Sequence, residues 1–256
     1  MNHLRLLRGV ACLSVLLLPR VAAAEPATPP APPPTPSAVV ELFTSQGCSS
    51  TPPADAVLRG LAADARRGGG AVYTLSFHVT YWDDLGWVDP HGAPFADAHQ
   101  EAYRRSFKNR SKYTPQTVVN GSWEGVGSRG REVSAAVGEA LAAPAALGVA
   151  AAAGADAGGV AVSWSLSGPA AGGTLLLALT QASSGNPVPR GENRGRELHH
   201  VDVVRAFERV RLGADASGHA RLPLPAALRG ADLAVTAYVQ DPRTGHVRGA
   251  TRVPVR

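Results

Sequence analysis

The chain has 256 residues, with 25 Lys and Arg against 20 Asp and Glu, a formal charge of +5 and two cysteines. That length admits one large domain or two modest ones. Arg5, Arg8 and Arg20 fall in an acid-free leader, so the remainder carries only +2, which removes the charge argument for nucleic-acid or membrane binding.

Residues 1–24 read as a signal peptide. Arg5 and Arg8 open it, residues 9–18 are mostly apolar, and Ala22, Ala23 and Ala24 offer a small-residue exit. The apolar run is too short to anchor the chain across a bilayer, so a periplasmic or secreted location is expected, with no integral membrane segment after cleavage. Cys12 leaves with the signal, and Cys48 becomes the one cysteine of the mature chain. Residues 25–37 are proline-rich and read as a disordered linker that buries nothing.

Val39, Val40, Leu42 and Phe43 form a short strand, Thr44 to Gly47 a polar turn, and Cys48 follows. A helix then begins between Ser49 and Thr51, with Ala54, Leu58, Leu61, Ala62 and Ala65 at helical spacing. Pro52 and Pro53 are tolerated in its first turn, where N–H groups lack partners. Cys48 thus sits at a helix start, a placement that favours the thiolate, which is the reactive species.

Residues 71–79 alternate as a second strand, and the intervening helix makes the pair parallel. Residues 81–87 form a loop, residues 94–107 a helix, and Thr117 to Val119 a strand ending in the hairpin signal Asn120-Gly121. Trp123 to Val126 complete the hairpin, and residues 131–141 form a closing helix. Residues 143–159 read as an Ala/Gly-rich linker. From residue 160 to 256 the period changes to two (Val160, Val162, Trp164, Leu166; Leu233, Val235, Ala237, Val239), and turn residues between short strands point to a small antiparallel sandwich.

The segments Val40-Glu-Leu-Phe-Thr-Ser-Gln-Gly-Cys48, His78-Val-Thr-Tyr-Trp-Asp83, Leu85-Gly-Trp87-Val-Asp-Pro90 and Tyr113-Thr-Pro115-Gln-Thr-Val-Val-Asn-Gly121 resemble the secreted bacterial family of domain of unknown function 1223. That family is itself similar to thioredoxin-fold proteins. The resemblance implies an α/β thioredoxin-like domain over residues 38–142, followed by the β-sandwich-like part. It also implies that Thr114 and Pro115 form a cis peptide beside Cys48 and keep a backbone edge open to a peptide or thiol ligand. The family usually has a second cysteine where this chain has Thr51.

Thr51 cannot resolve a mixed disulfide, so dithiol turnover within one chain is excluded. What remains is monothiol exchange, thiol capture or oxidation to a sulfenic acid at Cys48, with Thr51 donating a hydrogen bond to the thiolate. No cofactor is required; glutathione would serve as co-substrate, and a small thiol or a periplasmic protein thiol as partner. His78 and Trp82 are candidate ligand-binding residues at the neighbouring loop, and Lys112 would draw in an anionic ligand. Two alternatives stay open: a redox-inactive binding module on the same fold, and a periplasmic metal-binding protein using the His and Asp residues of the 78–91 region. No pair of them has typical ligand spacing. The polar segment 191–196 reads as a docking loop, and His199-His200 as a surface pair.

Overall fold

The computed structural model describes residues 25–68 and 70–256; the signal segment and Cys12 lie outside them. The first half follows the expected order: β1 (Ala38–Thr44), α1 (Pro52–Arg66), β2 (Val72–His78), α2 (Pro94–Ser106), β3 (Gln116–Val119), β4 (Trp123–Val126) and α3 (Gly130–Ala142). β1 pairs with β2 in parallel and with β3 antiparallel, and β3 pairs with β4. Alternation along β1 divides the layers. Ala38, Val40 and Leu42 meet Leu58 of α1 and Val133 of α3, whereas Val39 and Phe43 join Tyr103 of α2. The hairpin turn has positive φ at Asn120 (48°) and Gly121 (60°), as its sequence requires.

The second half contains β5 (Gly148–Asp156), β6 (Gly159–Ser167), β7 (Thr174–Pro187), β8 (Glu197–Arg211), β9 (Ser217–Leu222), β10 (Leu233–Gln240) and β11 (Val247–Pro254). The protein is thus a mixed α/β fold with one eight-stranded mixed sheet, ordered β11-β10-β7-β8-β2-β1-β3-β4, and one three-stranded antiparallel sheet, β5-β6-β9. The C-terminal strands do not stand apart as a self-contained sandwich. β8 lies parallel to β2, with Ser76 opposite Val203, and continues the N-terminal sheet. β7 and β10 are covered on both faces. Leu175, Leu177 and Leu179 pack under Val162, Trp164 and Leu166, while Leu176, Ala178 and Tyr238 join the cluster below α2.

Three segments differ from the sequence reading. The Ala/Gly-rich linker holds β5, paired with β6 along its whole length; its alanines give little polarity contrast between faces, so period two was invisible there. His200 is buried, because β8 begins at Glu197 and turns alternate residues inward. The proline-rich segment lies on the outer face of the small sheet. Ser163, Ser165 and Ser167 of β6 donate to the carbonyls of Ala27, Pro29 and Pro32. A sequence rich in proline keeps its carbonyls unpaired and extended, and a row of serines two residues apart supplies the donors.

Candidate functional site around Cys48

Cys48 occupies the turn between β1 and α1, at the carboxyl ends of the parallel pair β1 and β2. It is 3 % exposed, yet it belongs to none of the three apolar clusters. Its cover is polar: Ser49 and Ser50 beside it are exposed, and Ser50 Oγ lies 3.1 Å from Cys48 Sγ. Ser50 Oγ also donates a long bond, 3.5 Å, to the carbonyl of Thr114. The Thr114–Pro115 peptide is cis, and Pro115 is buried immediately before β3. The structure therefore brings Cys48, Thr114 and Pro115 into one neighbourhood through Ser50, a residue that no motif in the sequence singled out.

Thr51 is placed beside them with a different task from the one expected. Its hydroxyl donates to the carbonyls of Ser45 and Cys48, at 2.8 and 3.0 Å, and so braces the turn rather than the sulfur. The helix start is also less open to an anion than its position suggests. Positions 52 and 53 lack N–H groups, Thr51, Ala54 and Asp55 bond within the turn, and the Ser49 N–H is taken by Glu192 at 2.8 Å.

His78 is buried and does not reach the sulfur. Nδ1 faces Asp89 at 2.7 Å and Nε2 faces Ser76 at 3.2 Å, so both ring nitrogens are engaged. Asp89 accepts the Gln46 N–H at 2.8 Å through the same oxygen, linking β2 to the Cys48 turn. Burial alone would raise the Asp89 carboxyl; His78 and the amides of Gln46 and His91 outweigh it and hold the group far below the usual range. Trp82 packs over the turn, and a Cβ at Gly47 would lie 3.0 Å from the Trp82 carbonyl oxygen. Lys112 sits over the ring of Tyr81, 4.9 Å from its centroid.

A layer missed by sequence reasoning lies beneath the turn. Gln46 Nε2 meets His200 Nε2 at 3.2 Å, and Gln46 Oε1 accepts from Trp87 and Asn186. Asn193 donates to the carbonyls of Gln46 and Cys48, at 2.9 and 3.0 Å. With Glu192, this makes the 191–196 segment the clamp that holds the turn in place, in keeping with its docking character. The rings of His78 and His200 stand 4.5 Å apart, and those of His78 and His91 5.1 Å apart. Their nitrogens diverge: His91 accepts from Arg205 and faces Ser184. Among the described residues, no three His, Cys, Asp or Glu side chains form a group able to hold a metal ion. Burial, aided by His78 and Arg205, pushes the His91 imidazole down to about 3. No helix among the described residues is long and apolar enough to cross a membrane.

Fold and site together define a mixed α/β protein built around one buried, polar-capped cysteine at a strand-to-helix turn. The chain belongs to the family described as Protein of unknown function (DUF1223), which matches residues 39–240. Among solved structures it is similar to protein AGR_C_4864 from Agrobacterium tumefaciens, with 24 % identity and a TM-score of 0.60, covering 86 % of this chain and 94 % of that one. It is also similar to HBP35 of Porphyromonas gingivalis, with 13 % identity and a TM-score of 0.58, covering 86 % and 76 %. No curated protein matches the chain.

Proposed function

We propose that this is an exported thioredoxin-like protein that performs monothiol exchange or thiol capture at Cys48. The observation that carries the reading is the polar cap: Cys48 Sγ lies against the Ser50 hydroxyl, just below exposed Ser49 and Ser50, and outside the apolar clusters. The single proton of the Ser50 hydroxyl, turned from its long contact with the Thr114 carbonyl to the sulfur, donates to a thiolate and stabilises it, whereas apolar packing would favour the neutral thiol. The strand and helix order of residues 38–142, with Thr114-Pro115 beside the cysteine turn, supports the thioredoxin-like assignment.

In the exchange, the Cys48 thiolate attacks one sulfur of a partner disulfide. A Cys48–partner disulfide forms and the partner's other sulfur leaves as a thiolate. An external thiolate, from glutathione or from a periplasmic protein, then attacks the partner's sulfur in the mixed disulfide, so that a new disulfide joins it to the partner and Cys48 leaves as the thiolate. Thr51 takes no part in electron transfer and holds the turn.

The test is the alkylation rate of the native mature chain against pH. A midpoint below the ordinary thiol value of about 8.5, with Ser50→Ala moving it upward, supports the reading. A midpoint at or above that value removes it. The 3 % exposure of Cys48 and the Glu192–Asn193 clamp favour a second reading, a redox-inactive binding module. In that case Cys48→Ser leaves recovery of envelope partners unchanged, and reductant does not release them.

A further inference from the structure

We propose that the cavity between α2, β8 and the turn joining β10 to β11 binds a small anion carrying a phosphate or carboxylate group. Its volume is about 380 Å³, at the lower end of the range for small-molecule sites. Arg105, Arg209 and Arg243 line it, against one carboxylate, Asp241. Asp241 is turned to its own loop, where Oδ1 accepts the N–H groups of Arg243 and Thr244. Arg105 shares the Glu101 carboxylate with Arg104. Among the described residues, neither Arg209 nor Arg243 has a carboxylate within 4.0 Å.

Arg209 is also held in place. Nη2 donates to His99 Nδ1 at 2.5 Å, and His99 Nε2 donates to Glu41 Oε1 at 2.7 Å. The guanidinium carbon lies 5.4 Å from the centroid of Phe207. Because Arg can only donate, His99 must be neutral with its proton on Nε2. Glu41 is completely buried and accepts from Tyr103 and Tyr238 as well, so its oxygens are already supplied with donors. One nitrogen of the Arg209 fork is thus committed to His99, which fixes the guanidinium in place and leaves its remaining N–H groups for an anion. No step of the Cys48 chemistry uses this chain of groups.

The experiment titrates the full mature chain with sodium phosphate and, separately, with sodium succinate at constant ionic strength. It reads heat of binding and the His99 ring resonances. Saturable binding of either probe with a shift at His99 is expected; phosphate alone would assign a phosphoryl ligand, and succinate alone a carboxylate. Arg209→Gln and Arg243→Gln each weaken it by about tenfold or more, and Arg131→Gln, elsewhere on the surface, leaves it unchanged. Lack of saturation by both probes up to about 10 mM, or equal weakening by Arg243→Gln and Arg131→Gln, overturns the proposal. If Arg209→Gln fails to fold, Arg243→Gln alone decides.

Discussion

Asp89 Oδ2 holds the end of β2 and the cysteine turn together, meeting His78 Nδ1 at 2.7 Å and the Gln46 N–H at 2.8 Å. The side chain is fully buried, so its charge is compensated almost entirely by these contacts and by the His91 N–H. Removing one partner of a buried charged pair leaves the other uncompensated. Asp89→Asn should therefore destabilise the protein by about 2–4 kcal/mol and speed alkylation of Cys48, because the Gln46 anchor weakens. Urea denaturation and native-state labelling measure the two effects. A stable variant with unchanged labelling would show that Asp89 does not anchor the turn.

Acid should loosen the protein in two stages. His91 has its folded-state pKa depressed to about 3, so in the folded state it remains neutral where the unfolded chain takes up a proton. Its contribution is complete above the ordinary histidine value of about 6.5 and is lost as pH falls from there toward 3. Asp89, also depressed, contributes above about 4 and loses that contribution below. Urea midpoints between pH 8 and 4 should fall first below 6.5, and His91→Gln should reduce that first limb, with buried His99, likewise depressed, carrying the remainder. A midpoint constant from pH 7 to 5 would contradict the assignment.

Asn193→Ala removes the Asn193 side-chain bonds to the Gln46 and Cys48 carbonyls. A cost of about 1–3 kcal/mol is expected for the Gln46 carbonyl, which loses its partner, whereas the Cys48 carbonyl keeps Thr51; alkylation at Cys48 should be faster. An equally destabilised variant far from the turn is the control. If both variants label alike, the 191–196 segment does not gate the sulfur.

Gly148 reports on the proline-rich segment. A Cβ there would lie 1.9 Å from the Pro32 carbonyl oxygen and 2.4 Å from Ser167 Oγ, distances that no side-chain rotation relieves on the backbone side. Gly148→Ala should detach residues 25–36 from the small sheet and make them sensitive to limited proteolysis, while the eight-stranded sheet persists by circular dichroism. Equal protease resistance in both forms would mean that the segment is not held through β6.

Elements whose polarity contrast is strong are legible in the order of residues alone. The β1 to α3 series follows from apolar spacing, the Asn120-Gly121 turn and the prolines at positions 52, 53 and 94. Cys48 and the absence of a thiol at position 51 are equally plain in it. It was silent on β5, where alanine occupies both faces, and it hid the union of the two halves. The run Leu175 to Leu179 is apolar at every position because β7 is covered on both sides, yet a short apolar run does not reveal what covers it. The packing of distant segments places Ser50 rather than Thr51 against the sulfur, sets His200 and Asn193 beneath the turn, and lets Arg209 donate to His99. Each of these pairings joins residues from different elements or turns on two bond rotations, and the physical information resides in how the strands are ordered in the sheet rather than in any local spacing.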